Sequence, residues 1–435
     1  MYELMIIFII LVLLIIGRKI SKNWANPAYL MTVYWSIFII SALIAFKGRY
    51  EWDYIALLWI IFACVVFGFG HALGGSLGKR NYLENSPEVS SANVKKVLSK
   101  ISWQFILLCI VIGLLRIIVE VFKSGFSMAV FYDLNSLMDM NTDMAYQRYY
   151  GGGTESSPIM QIMLIFGYIA PLCGGYALLY AEKKIERILS FATFIPILSD
   201  VLVTNAKAGF IAAIFLWISG LLVAYLDIYK REPVIKTRMF IKIGFGATFA
   251  LGLFYLSMLL RIGNLNESTR EEVSNKFITY AFGHIPAFDY WFANNGMDST
   301  YSLGKYTFIG IFSSLGLFSR EQGIYTDVVY FAGGTLTNVY TAFRGMILDY
   351  GIIGSFLLIM IFGIVTGYFF CCLLNKNKNV ILAKVFLAAT YFFIMYSFII
   401  SIWTYVSYIM VFPAFIIYLW LAKPKEKITI NPKEL

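Results

Sequence analysis

The chain has 435 residues, of which 60% are apolar and 14% are charged. An average soluble domain has about 25% charged residues, so this composition excludes an ordinary soluble enzyme and indicates an integral membrane protein. The net charge of +10 does not indicate nucleic-acid binding, because the Lys and Arg residues gather in short segments between apolar runs.

Apolar runs of roughly 20 residues, enough to cross a bilayer of about 30 Å, recur along the chain. We therefore expect an all-α, polytopic membrane protein with about 11 transmembrane helices, forming one integral membrane domain over residues 1–435. In the first run the basic residues follow the apolar stretch, which predicts a retained span and not a cleaved signal. The predicted spans lie near 2–17, 28–46, 54–73, 103–122, 158–180, 188–204, 209–226, 239–260, 346–373, 381–400 and 403–422.

The segments between spans alternate between basic clusters and segments of sparse or mixed charge. Every basic cluster falls on one face if the N-terminus is outside and the C-terminus is cytoplasmic. This topology places two large loops, 123–157 and 261–345, on the outer face. The second loop is too long for a simple connection and too aromatic for disorder, so we expect it to carry the functional site.

The sequence offers few residues for metal or nucleotide chemistry. His71 and His284 are its two histidines, and all five cysteines lie in apolar runs. Nucleotide-binding and hydrolase motifs are absent from the sequence. We therefore expect no metal and no cofactor.

A set of cations marks the outer ends of the predicted spans. One interpretation is that they anchor helices at the membrane interface; the other is that they bind an anionic ligand such as a lipid pyrophosphate, which arginine contacts in a bidentate way. A further cation, Arg116, is predicted to pair with Glu120 one helical turn away. The set consists of Arg148, Lys207, Arg261, Arg270 and Arg344.

The start of the ninth span carries a predicted polar stripe. On a helix, Asn338, Thr341, Gly345 and Asp349 fall on one side, with Arg344 beside them. The stripe is either a polar seam against another helix or part of a site. Asp349, about one turn into the span, needs a partner there or stays protonated.

His284 and Asp289 lie in an aromatic segment with Tyr290 and Trp291. His284 is either a hydrogen-bonded structural residue or, with Asp289, an acid–base group beside rings that stack on sugars. Imidazole suits that second role because it titrates near neutral pH.

The run from Asn338 to Gly354 resembles the corresponding run of the Wzy-type O-antigen and capsule oligosaccharide repeat-unit polymerases of bacteria. Asn26-Pro27 before the second span, with Trp35 inside it, and the large late outer loop resemble the same family. Lys207 departs from the pattern, because these polymerases often carry an arginine in that turn. The resemblance also implies a fold similar to that of the C-type glycosyltransferases.

The resemblance implies a glycosyltransferase in the bacterial plasma membrane that polymerises undecaprenyl pyrophosphate-linked oligosaccharides on the outer face. A flippase and a chain-length regulator are the implied protein partners. The cations and Tyr340 would bind the substrate, and the proton would go to His284 or Asp289, with Asp349 as an electrostatic partner. The alternatives are a transporter or flippase of the same lipid, for which we would expect internal repeats and charges at the membrane centre, and an O-antigen ligase.

Overall fold

Helices dominate the computed structural model, which describes residues 2–80, 94–150, 157–204, 207–230, 252, 267–296, 298–319, 325–332, 334–375, 380–423 and 425–428. The helices are α1 (Tyr2–Ser21), α2 (Pro27–Ala45), α3 (Ile55–Arg80), α4 (Lys100–Lys123), α5 (Leu134–Tyr150), α6 (Pro158–Leu178), α7 (Lys184–Ala192), α8 (Ile195–Thr204), α9 (Lys207–Tyr229), α10 (Glu267–Phe282), α11 (His284–Asn295), α12 (Ile309–Ser314), α13 (Ala342–Leu374), α14 (Val380–Tyr396) and α15 (Val406–Ala422).

Two small antiparallel pairs of strands complete the fold. β1 (Val94–Val97) pairs with β4 (Lys425–Ile428), and β2 (Val329–Phe331) forms a hairpin with β3 (Thr335–Thr337). Each pair is too short to form a core of its own. The first pair joins the segment between α3 and α4 to the segment after α15, and the second lies in the segment that leads into α13.

Within the described chain, eight helical segments are long and apolar enough to cross a membrane. They are α1, α2, α3, α4, α6, α7 together with α8, α9, and α13, and the apolar helices α14 and α15 are shorter. The protein is therefore a polytopic membrane protein. Ten of the predicted spans coincide with these helices, and the one near 239–260 lies outside the described residues apart from residue 252.

The Asn26-Pro27 pair starts α2. The Asn26 side chain accepts a hydrogen bond from the backbone N–H of Ala28 at 2.9 Å, and Pro27 occupies the first helical turn. These are the residue types that suit an N-cap and the position after it. The Trp35 ring then packs on Phe343 of α13, with ring centroids 4.8 Å apart.

The crossing of α3 and α13 is a tight contact between glycines. A Cβ atom built on Gly74 would lie 1.9 Å from the carbonyl oxygen of Ile364, and one built on Gly367 would lie 2.0 Å from that of His71. Gly70 and Gly363 make similar approaches to the facing backbone. Small residues four apart let transmembrane helices approach this closely.

The described residues of 267–341, which we call the cap, cover the end of the bundle where α2 ends and α3 begins. The Phe331 ring of the cap lies 4.9 Å from Phe46, and Phe288 lies 6.1 Å from Trp59. The cap leads directly into α13. We call this the cap end of the molecule.

The described part of the first large loop, residues 123–150, lies at the same end. Helix α14 starts near the end of α9, where Lys384 pairs with Asp227, and ends beside the start of α13, where Ser397 accepts a hydrogen bond from Ala342. Helix α9 therefore begins at the cap end. Helix α5 lies there too, because Asn141 donates to a backbone carbonyl near the end of α8.

A buried polar network lies at the opposite end. The Lys384 ammonium is 2.9 Å from both the Asp227 carboxylate and the Tyr176 hydroxyl, and Tyr180 donates to Asp227 at 2.9 Å. The network joins α6, α9 and α14 by groups that are all nearly inaccessible to solvent. A charge buried there is retained because it has partners.

Candidate functional site

Arg344 lies in the first turn of α13, at the base of the cap. The backbone N–H of Ala342 donates to Ser397, which fixes the start of the helix against the end of α14. The guanidinium donates two parallel hydrogen bonds of 2.9 Å to the two carboxylate oxygens of Asp327. This is the bidentate geometry in which arginine binds a planar anion.

Three aromatic rings surround the guanidinium. Its central carbon is 4.0 Å from the ring centroid of Tyr340, 4.1 Å from that of Tyr325 and 5.1 Å from that of Trp291. The faces of such rings attract cations. We call Arg344, Asp327 and these three rings the arginine cage.

The two charged groups of the cage differ in access to solvent. The Arg344 side chain is 8% exposed, whereas that of Asp327 is 51% exposed. Partial burial acts to raise the pKa of Asp327, but hydrogen bonds from Arg344 and Tyr340 outweigh it and hold that pKa below its ordinary value. A carboxylate ion therefore stands between a buried arginine and solvent.

Asp327 was not among the site residues predicted from the sequence. It lies 17 residues before Arg344, in an extended segment that gives no helical period, so the sequence contains no spacing that links the two. The signal that could have found Asp327 is Arg344 itself, because a buried arginine requires an anion nearby.

Asp349 fastens the loop that precedes α12. Its side chain is buried and accepts hydrogen bonds from the hydroxyl of Ser302 at 2.6 Å, the N–H of Thr307 at 2.6 Å and the N–H of Tyr306 at 3.1 Å. The sequence predicted that this carboxylate either has a partner or stays protonated. The partners come from the cap, and they place Tyr306 against the cage, where its ring stacks on Tyr325.

The predicted polar stripe needs correction at its start. Helix α13 begins at Ala342, so Asn338 and Thr341 precede it, and Asn338 is exposed. Residues 338 and 341 therefore do not share a helical face with the others. Gly345 is where the Tyr325 hydroxyl approaches the helix, since a Cβ atom there would lie 3.1 Å from it.

His284 and Asp289 both lie on α11, but they face different neighbours. His284 packs edge-on against Phe38 and Phe398, and neither ring nitrogen has a hydrogen-bond partner in the described chain. Burial lowers the pKa of His284 to about 3. The imidazole is therefore neutral and enclosed by rings.

Asp289 contacts the segment between α2 and α3. One carboxylate oxygen accepts from the Tyr50 hydroxyl at 3.1 Å and from the Asp53 N–H at 2.9 Å, and the other has no partner in the described chain. Burial raises the pKa of Asp289 to about 6. Tyr290 beside it is half exposed. The carboxyl group thus titrates near neutral pH.

The other predicted cations are described less fully. The backbones of Arg148, Lys207 and Arg270 lie on α5, α9 and α10, but their side chains, and all of Arg261, fall outside the described residues. The prediction for Arg116 was wrong about its partner. Its guanidinium binds Asp200 of α8 at 2.6 Å, and not Glu120, because the packing of α4 on α8 brings the two side chains together.

Within the described chain, no group of three or more His, Cys, Asp or Glu side chains lies close enough to hold a metal ion. No protein family, curated protein or solved structure gives a match to the chain. We therefore infer the function from the geometry of the arginine cage and its surroundings.

Proposed function

We propose that the protein is a glycosyltransferase that polymerises oligosaccharide repeat units. It transfers the growing glycan from undecaprenyl pyrophosphate to a new lipid-linked unit at the outer face of the bacterial plasma membrane. The cap end faces outward in this proposal, in agreement with the basic clusters at the opposite ends of the helices. The resemblance of residues 338–354 to the Wzy-type polymerases supports the same function.

The observation that carries the proposal is the arginine cage. A buried guanidinium at the membrane surface, fixed by three rings, is a preorganised site for a phosphate group. Asp327 occupies the bidentate position, and its exposed carboxylate stands in for one phosphate of the carrier. Substrate pyrophosphate takes this position when it binds, and Arg344 then stabilises the charge that develops on the leaving carrier.

The proton of the acceptor hydroxyl goes to Asp289 in this proposal. A general base works best when its pKa lies near the working pH, and the pKa of Asp289 is about 6. His284, with a pKa of about 3, is the weaker base at neutral pH. Asp349 positions the loop at Tyr306 and Thr307 and takes no part in proton transfer. Arg148, Lys207, Arg261 and Arg270 support binding of the anionic carrier.

The proposal is tested by Arg344→Lys, which keeps the positive charge but cannot form the bidentate pair of hydrogen bonds. We expect polymer formation in cells to fall at least about 100-fold, as for loss of a preorganised donor to developing charge. Lys276→Arg on α10 serves as a control, because its partner Glu272 is exposed. If Arg344→Lys, present at normal levels, gives wild-type polymer, the arginine cage is not the site.

A transporter, such as a flippase for the same lipid, is the second candidate. The buried pair of Lys384 and Asp227 favours it, because ionisable groups inside a membrane often mark a transport path. Cells lacking a flippase accumulate lipid-linked repeat units in the inner leaflet, whereas cells lacking a polymerase accumulate them in the outer leaflet. An O-antigen ligase would use the same site with a different acceptor, and its loss would leave finished polymer on the lipid carrier.

A further inference from the structure

Helix α13 is broken at Gly351, which has a φ of 68° and a ψ of 179°. Such a break leaves the last backbone carbonyls of the first half of the helix without helical partners. The cap supplies partners for two of them. The carbonyl of Leu348 accepts from the N–H of Tyr301 at 3.0 Å, and the carbonyl of Asp349 accepts from the N–H of Leu303 at 3.3 Å. A segment of the cap is therefore inserted at the break.

We call residues 300–319, which begin at the break and include α12, the wedge. The depth of the wedge follows from the second half of α13, residues 352–374, which contains no charged residue. At the rise of an α-helix this half is about 34 Å long, enough to cross the roughly 30 Å of hydrocarbon by itself. Gly351 and the wedge beside it therefore lie where the hydrocarbon meets the lipid headgroups.

The exposed surface of the wedge is apolar. Leu303, Leu315 and Leu317 are 69%, 67% and 62% exposed, and Lys305 is the single charged residue of the wedge. Helix α10 of the same cap, in contrast, carries five acidic or basic residues. Three leucines exposed to this degree in one short segment indicate a surface that contacts lipid or protein, and not water alone.

This surface is continuous with the lipid-facing side of α13. Ile353, Leu357 and Ile361 stand four residues apart on one face of the helix and are 76%, 52% and 56% exposed. The Tyr301 ring of the wedge, which is 65% exposed, lies against Gly351, because a Cβ atom built there would be 3.1 Å from it. The wedge thus begins two residues from the exposed face of a spanning helix, and the lipid that covers this face also reaches the wedge.

The backbone of the wedge suits this depth. Backbone polar groups near hydrocarbon must find partners within the protein, because no water is available to them there. The N–H groups of Tyr306 and Thr307 donate to the buried Asp349 carboxylate. Six further N–H groups donate to carbonyls of the wedge itself, those of Phe308, Ile311, Phe312, Leu315, Gly316 and Leu317.

We propose that the wedge inserts into the leaflet at the cap end and that its partner is the bilayer itself. Tyr301, Leu303, Leu315 and Leu317 contact the upper parts of the acyl chains, since interfacial segments bury their apolar side by about 5–10 Å. The long side chain of Lys305 reaches back to the headgroups. The inference goes beyond the proposed function, because it holds equally for a polymerase, a ligase or a transporter.

The test attaches a nitroxide spin label to Leu303→Cys and, separately, to Leu317→Cys, in purified protein reconstituted in phosphatidylethanolamine and phosphatidylglycerol vesicles. Electron paramagnetic resonance then measures collisions of the label with oxygen, which concentrates among acyl chains, and with a water-soluble nickel chelate. The matched control is Asn295→Cys, an exposed polar position of the cap, and Ile361→Cys is the lipid reference. We expect the oxygen-to-nickel ratio at both leucine positions to exceed that of the control by at least about fivefold, because a polar chelate loses hydrogen bonds to water when it enters hydrocarbon.

The labelled positions are exposed, so the label replaces no packed side chain. Wild-type protein treated with the same reagent gives the background, because its five cysteines are buried. A ratio at either leucine position no higher than that of Asn295→Cys would put the wedge in water and overturn the inference. Low collision rates with both oxygen and nickel would show that a second copy or another protein covers the leucines, which overturns it as well. Polymerisation does not enter this measurement, so the proposed function and the wedge inference fail independently.

Discussion

At the scale of single residues, three carboxyl groups of the site lie in different environments. Asp327 is half exposed and ionised beside Arg344, Asp349 is buried and fully occupied by donors, and Asp289 is buried with one free oxygen. In the proposed function, the same residue type stands in for a phosphate at Asp327, holds a loop in place at Asp349 and accepts a proton at Asp289. The sequence predicted that Asp349 either has a partner or stays protonated. Its partners lie 42–47 residues earlier in the chain, a distance that no local pattern encodes.

Asp349→Asn should destabilise the protein. An amide cannot accept all of these hydrogen bonds, and its NH₂ group would face the backbone N–H groups of Tyr306 and Thr307. Leaving buried donors without acceptors costs about 2–3 kcal/mol, whereas Ser302→Ala, which removes one donor, should cost about 1 kcal/mol. Thermal unfolding monitored by size-exclusion chromatography measures both. Equal midpoints for Asp349→Asn and wild type would show that the loop does not depend on this carboxylate.

Asp289 predicts a pH dependence of stability. Its pKa of about 6 in the folded protein lies above the ordinary value of about 3.9, so the folded state binds the proton more tightly. The stabilisation is complete below about pH 4 and is lost as pH rises through about 6. Asp289→Asn cannot ionise, so its unfolding midpoint relative to wild type should rise between pH 4 and 7. If the difference between the two unfolding midpoints is constant across that range, the pKa of Asp289 lies outside it.

At the scale of elements, the lengths of the apolar runs predicted the spanning helices, but not how they meet. The polar residues before Arg344 suggested that the helix begins earlier than it does. Residues up to Thr341 are extended because they lead out of the β2–β3 hairpin. The glycines of α3 and α13 stand four apart in the sequence. This spacing did not predict which two helices pack together, and the structure shows that α3 packs on α13.

Gly74→Ala tests that crossing. The added methyl group would lie 1.9 Å from the carbonyl oxygen of Ile364, so the helices must separate and lose contacts along their length. We expect a loss of at least about 2 kcal/mol, as for overpacking of a tight core. Gly68→Ala, on the same helix with open space around it, should be neutral or slightly stabilising. Similar unfolding midpoints for the two variants would contradict the close approach.

At the scale of the whole molecule, the cap and helix α5 lie at one end and the buried Lys384 network lies at the other. The sequence predicted a long, ordered loop from its length and aromatic content. It could not predict the arrangement of α10, α11, α12 and the hairpin, because that arrangement depends on contacts with α2, α3 and α13 from distant parts of the chain.

The topology follows from this arrangement. Asn295 is exposed on the cap, and Lys184 is exposed at the opposite end. A membrane-impermeant thiol reagent should label Asn295→Cys in intact cells, and should label Lys184→Cys after permeabilisation. The five native cysteines are buried, so the background should be low. The reverse pattern would put the arginine cage on the cytoplasmic face and remove the basis for an outer-face polymerase.

Reconstitution with purified components tests the central claim most directly. Wild-type protein in proteoliposomes is supplied with undecaprenyl pyrophosphate-linked repeat units alone, and product length is followed by gel electrophoresis. We expect chains of several repeats and release of undecaprenyl pyrophosphate, with neither product from Arg344→Lys and both from Lys276→Arg. Repeat units that stay single with wild-type protein, or equal elongation by Arg344→Lys, would contradict it.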